Sequence, residues 1–176
     1  MVAAKAAGCR RLVHASSIHA VSGYAKDVQV KTNEPVNPGD LYGVSKCFAE
    51  ALGRYMATQE ALSVIAVRIG AYESNDPRGS SGDISVMDAY VSRRDLASLF
   101  ALAVDNEEVG FAIVHGLSDN FFKRMDISST RELLGYAPVD DFAAQNPKLA
   151  HLDLTKHVRS HSNMADGGKS GLRRDL

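Results

Sequence analysis

Tyr42 and Lys46 stand four residues apart in the stretch Tyr42-Gly43-Val44-Ser45-Lys46, a spacing that sets a phenol and an ammonium on one face of a helix. A free phenol titrates near ~10 and carries few protons at neutral pH. A fixed cation beside it favours the phenolate and draws its titration toward the working range, as a general acid/base requires. About twenty-five residues upstream, Ser16 and Ser17 close an apolar run, where a hydroxyl can hold a substrate oxygen beside the phenol. The plain alternative is a surface helix with an unrelated Tyr and Lys. With six tyrosines in the chain, the spacing alone does not separate the two.

Other chemistry-bearing residues read more plainly. Ser17 with His19 suggests a hydrolase, but no Gly-x-Ser-x-Gly elbow exists. His151, His157 and His161 suggest a metal, but no acidic or cysteine partner has fitting spacing, so a solvated tail and no metal are expected. Cys9 and Cys47 make no metal or redox pattern and read as free thiols. His115 ends a predicted strand as a core or edge residue. Asp95 opens a helix, where the macrodipole favours its charge. The Arg173-Arg174 end is too short for a nucleic-acid patch.

The elements that position these residues follow from periodicity. Val2 to Ala7 is the end of a helix stopped at Gly8. Arg11 to Ala15 is a short strand running into Ser16-Ser17. A loop broken by Asn33, Pro35, Asn37, Pro38, Gly39 and Asp40 follows. Val44, Phe48, Ala51, Leu52, Tyr55 and Met56 recur with a helical period from Tyr42 to about Glu60. Val64 to Val67 is a near-continuous β-branched run suited to a strand buried on both faces. Ala71 to Asp88 reads as a long functional or mobile loop. Arg94 to Val104 is a helix, Gly110 to His115 a strand, and Ser128 to Leu134 a helix stopped by Gly135. The alternation gives an α/β fold with a mostly parallel sheet, entered in the middle, its first strand an exposed edge.

Composition narrows the class. The chain has 176 residues, 45% hydrophobic and 23% charged, with a net charge of -1, which fits one globular domain and gives no reason to expect nucleic acid. Aromatic residues make up 7% and tryptophan is absent, so no platform for stacking bases is evident. No apolar run approaches the ~20 residues of a membrane span, and no signal-peptide core is seen. A cytoplasmic protein is expected.

Taken in order, Arg11-Leu-Val-His-Ala-Ser-Ser17, Leu41-Tyr-Gly-Val-Ser-Lys46, Arg68-Ile-Gly70 and Leu134-Gly-Tyr-Ala-Pro138 resemble the extended short-chain dehydrogenase/reductase family of NAD-dependent epimerases and dehydratases. Ser16-Ser-Ile-His19, Cys47-Phe-Ala-Glu50, Val91-Ser-Arg-Arg-Asp-Leu96 and Gly110-Phe-Ala-Ile-Val-His-Gly116 are most similar to uronate dehydrogenases and related sugar dehydrogenases. The resemblance covers about residues 1–145, the C-terminal part of such a domain, and leaves 146–176 as a polar, flexible tail. It implies Ser17, Tyr42 and Lys46 as the catalytic set. Tyr42, Lys46 and Ile69 would meet NAD or NADP, and Ser17, Ile18, His19 and Arg78 would meet the substrate. Arg78 would clamp a carboxylate with its planar fork. A sugar or sugar acid is the implied partner, and a homodimer is plausible through the Tyr42 helix.

The chain departs from the pattern in three places. Ile18 and Ala71 stand where uronate dehydrogenases carry an asparagine and a serine, which removes two polar contacts from a sugar site. No Gly-x-x-Gly-x-x-Gly or Gly-x-Gly-x-x-Gly follows any strand, so the loop that cradles pyrophosphate is missing. The expected fold is therefore a partial Rossmann-like doubly wound parallel sheet lacking its N-terminal βαβ units. The expected activity is NAD(P)-dependent oxidation of a sugar or sugar acid. The alternatives are a sugar-nucleotide epimerase or dehydratase, and a silent truncated fragment.

Overall fold

In the computed structural model, which describes residues 1–72, 84 and 86–149, eleven segments follow one another. They are α1 (Val2–Ala6), β1 (Arg11–Ser17), a 3₁₀ turn (Ile18–Val21), α2 (Leu41–Gln59), β2 (Ser63–Ile69), β3 (Ala71–Tyr72), β4 (Tyr90–Val91), α3 (Arg93–Asp105), β5 (Phe111–Gly116), α4 (Ser128–Leu134) and α5 (Phe142–Gln145). The main sheet has the order β1-β2-β5 and is parallel throughout. The β-branched run of Val64–Val67 lies in its middle strand, and its residues are at most 1% exposed. The fold is the α/β, Rossmann-like arrangement expected, and β1 is an edge of the described sheet.

Strand alternation splits the sheet into two faces. Val13, Ile65, Val67, Ala112 and Val114 point to one side and pack with Leu99 and Ala103 of α3, Leu134 of α4, and Tyr136. Leu12, Val64 and Phe111 point to the other and meet Leu52 and Met56 of α2. Helices on opposite faces make the sheet doubly wound. Fully burying one side chain such as Leu99 contributes about 1.5–3 kcal/mol, so these two clusters hold the layers together.

Local stops and starts account for the helix bounds. Asp40 caps α2, its carboxylate accepting from the Gly43 N–H at 2.6 Å. Ser92 caps α3 by accepting from the Asp95 N–H at 3.1 Å. Gly135 ends α4 in the left-handed region at φ 67°, as its place after Leu134 predicts.

Three differences from the sequence reading have physical causes. The stretch from Ala71 is not loop throughout, because Ala71 and Tyr72 pair in parallel with Tyr90 and Val91. Two-residue strands carry no period to detect. Helix α5, of four residues, is likewise too short to show one. Asp95 is more than a charge at a helix start: it is 2% exposed and accepts from Ser118 Oγ and the backbone N–H groups of Val139 and Asp140. Those donors lie 23 to 45 residues away in sequence, beyond the reach of local pattern. His115, as expected, is buried. No helix among the described residues is long and apolar enough to cross a membrane.

Candidate active site

Parallel register brings Ser17, Ile69 and Gly116 into one row at the C-terminal ends of the three strands. Such ends, where helices begin and backbone groups lose their ladder partners, are where α/β sheets bind ligands. The 3₁₀ turn that follows β1 carries His19 beside this row, and α2 carries Tyr42 and Lys46 in its first two turns.

Two contacts gather the side chains. The His19 and Tyr42 rings meet edge to face, with centroids 5.3 Å apart at 79°. Lys46 Nζ stands 5.1 Å from the centre of the Tyr42 ring and donates to the Ala15 carbonyl at 2.9 Å. The Tyr42–Lys46 spacing thus produces the juxtaposition it predicts. Tyr42 is 52% exposed, leaving its hydroxyl accessible to a ligand. Ser17 is buried, and its Oγ accepts from the His19 N–H at 3.2 Å. That bond uses an oxygen lone pair and leaves the hydroxyl proton for another acceptor.

Close approach of the turn to α2 needs Gly43. A Cβ there would lie 2.3 Å from the His19 carbonyl oxygen, so the second residue of the Tyr-Gly-Val-Ser-Lys stretch is fixed by packing. Asp40, unremarked as a site residue in the sequence, does two jobs. It caps α2, and its second oxygen lies 2.6 Å from His19 Nδ1. The Gly43 N–H and then His19 hold its carboxyl below the usual range. With Nδ1 engaged by a carboxylate, Nε2 is the free ring nitrogen of His19. The available signal was an aspartate immediately before a helical period, which marks a cap but not a histidine partner.

The remaining expected residues divide. Ile69 ends β2 in the site row, its side chain packed on the α3 side of the core. Ile18 is half-buried against the cluster of Val21, Val30, Leu117, Met125 and Ile127. Arg78, His151, His157 and His161 lie outside the described residues, as does the polar tail from residue 150. Cys9 is exposed, Cys47 is half-buried, and both are free. Burial pushes the Cys47 thiol up, away from nucleophilic use. Glu50 closes the Cys47-Phe-Ala-Glu50 stretch. It is 3% exposed and paired with buried Arg68 at 2.8 Å.

These residues suit one end of a nicotinamide dinucleotide. Lys46 keeps ammonium protons beyond its bond to Ala15, and the Tyr42 hydroxyl stands free beside it, which fits a ribose with adjacent hydroxyls. For a pyrophosphate, helix α2 presents the Asp40 carboxylate at its N-terminus, and among the described residues no glycine-rich turn joins a strand to a helix.

Residues 1–108 match the model of the NAD dependent epimerase/dehydratase family. The chain is 33% identical over 148 residues to an NAD-dependent glucose-6-phosphate dehydrogenase of Haloferax volcanii, covering 77% of this chain and 55% of the relative. It is 30% identical over 138 residues to a uronate dehydrogenase of Pseudomonas putida, covering 78% and 49%. A uronate dehydrogenase mutant of Agrobacterium tumefaciens complexed with NAD superposes with a TM-score of 0.70 at 30% identity, covering 81% of this chain and 52% of that one. The chain spans about half the length of the curated relatives it matches.

Proposed function

We propose that this chain, which belongs to the NAD dependent epimerase/dehydratase family, is the proton-transfer and substrate-side portion of an NAD(P)-dependent dehydrogenase of a sugar or sugar acid. The observation that carries the proposal is the meeting of His19, Tyr42 and Lys46 beside Ser17 at the strand ends. The uronate and glucose-6-phosphate dehydrogenases among its relatives support the substrate class.

In this reading the substrate carbinol oxygen lies between Ser17 Oγ and Tyr42 Oη. Ser17 donates its free proton to that oxygen, and the Tyr42 phenolate takes the carbinol proton. Lys46 balances the charge on the phenolate and holds the ribose hydroxyls. His19, oriented by Asp40, lines the substrate with Nε2. Ile69 would offer its backbone near the nicotinamide, and an anionic substrate group would be the one for Arg78 to clamp. A bound NAD(P) supplies the acceptor for the hydride that leaves the same carbon. Ile18 would line the substrate beside His19, with part of its side chain packed on the apolar cluster behind the turn.

A second reading, a chain silent by itself, is favoured by the missing glycine-rich turn. Calorimetric titration with NAD⁺ and NADH separates the two. Micromolar binding supports the dehydrogenase portion, and no binding at millimolar cofactor supports the silent chain. With glucuronate or glucose 6-phosphate as substrate, Tyr42→Phe should abolish NADH formation, and unchanged turnover would refute the assignment. Substrate conversion without net NADH release would move the reading to an epimerase or dehydratase.

The same helix supports a homodimer. Leu41, Val44, Phe48 and Tyr55 are 86%, 49%, 70% and 49% exposed and fall on one stripe of α2, opposite the side that packs on the sheet.

A further inference from the structure

Glu50 lies four residues after Lys46 and eight after Tyr42, on the same side of α2. Its Oε1 accepts from Ser16 Oγ at 2.6 Å and Arg68 Nε at 2.8 Å, while Oε2 accepts from Arg68 Nη2 at 2.8 Å. Ser16 immediately precedes Ser17 on β1, and Arg68 immediately precedes Ile69 on β2. One buried carboxylate therefore touches the neighbour of each strand-end site residue from the helix that bears the Tyr–Lys pair. We propose that Glu50 is a positioning residue. It locks β1 and β2 to α2 and so fixes Ser17 and Ile69 relative to Tyr42 and Lys46. The proposal rests on the oxidoreductase reading for its catalytic meaning, but the locking itself does not.

The physical case is directional. An apolar trio of similar volume could hold three elements together, but hydrophobic contact is non-directional and lets them slide. Arg68 presents two parallel N–H groups in a planar fork, which fixes both distance and angle to the carboxylate. Successive side chains alternate along a strand, so pinning Ser16 toward α2 also sets the direction in which Ser17 leaves the backbone. The Lys46 bond to the Ala15 carbonyl adds a second tie between the same two elements. Arg68 and Glu50 are 1% and 3% exposed, so water does not compete for these bonds.

The test uses ¹⁵N relaxation dispersion on the purified chain with three variants. Ser16→Ala cuts only the β1 tie and should bring exchange broadening to the Ser17 amide while Ile69 stays quiet. Glu50→Gln should broaden Ser17, Tyr42 and Ile69 together. Leu99→Ala, which opens a cavity on the opposite face, should lower the melting temperature without broadening these three. A quiet Ser17 in Ser16→Ala overturns the proposal, as does equal broadening in Leu99→Ala. If Glu50→Gln does not fold, the other two variants decide. Where the wild type turns over NAD⁺, Glu50→Gln should reduce kcat by about tenfold or more with KM little changed, as expected for misplaced reacting groups. A wild type without turnover refutes the oxidoreductase reading and leaves the locking to be decided by the amide signals.

Discussion

On the face under α3 and α4, Val13, Ile65, Val67, Ala112 and Val114 meet Leu99 and Leu134 in an apolar layer. The face under α2 begins in the same way, with Leu12, Val64 and Phe111 in one row. Moving toward the strand ends, the rows become His14–Ala66–Ile113 and then Ser16–Arg68–His115. One sheet thus carries an apolar face and a face graded from apolar to polar, and the polar end lies against the helix that bears Tyr42 and Lys46. The apolar face supplies stability through area alone. The graded face gives up some of that for bonds with direction, where the site needs fixed geometry.

The largest effect should come from breaking the polar row at one point. Arg68→Met alone leaves the Glu50 carboxylate buried without its partner and should cost about 3–5 kcal/mol in denaturant unfolding. The double change Glu50→Leu with Arg68→Met converts the row to the character of the opposite face and should recover most of that loss. A double variant as unstable as the single would show that the row is held by something other than charge pairing.

A smaller effect should follow acidity. Burial holds His115 at about 4, below the value of about 6.5 for a free imidazole. Between those two values the unfolded chain binds the proton that the folded chain refuses, so stability rises with pH in that window. It should fall by roughly 1.4 kcal/mol per unit as pH drops below about 6.5, and His115→Asn should flatten the slope. Equal slopes in wild type and variant would place the proton elsewhere.

The mildest test concerns the outer side of α2. Phe48→Asp should leave the unfolding free energy of the monomer within about 0.5 kcal/mol of wild type, as an exposed position allows. Sedimentation should nevertheless show a dimer become a monomer. A wild-type chain that sediments as a monomer at all concentrations removes the dimer proposal.

Much of this was readable in order along the chain. The β-branched run of Val64–Val67, the helical period from Val44 to Met56 and the Gly135 stop each act through neighbours a few residues away, so local pattern reports them. The Tyr42–Lys46 pair was readable for the same reason, since four residues of helix place both side chains on one face. The pairings that shape the site were not. Asp40 reaches His19 across 21 residues, Ser16 reaches Glu50 across 34, and Arg68 reaches Glu50 across 18. A polar residue in a sequence shows what it can bond to but not which partner the chain delivers.

Sequence by itself therefore determined the kinds of element, their order and the chemical equipment, a phenol beside an ammonium downstream of a serine-ended strand. Tertiary structure decided that Asp40 orients a histidine, that Ile18 packs partly against an apolar cluster, and that a motif glutamate is a buried three-way tie. The division follows from range: helix and strand periods are set by bonds between near neighbours, whereas parallel register and buried charge pairing exist only once distant segments have closed on one another.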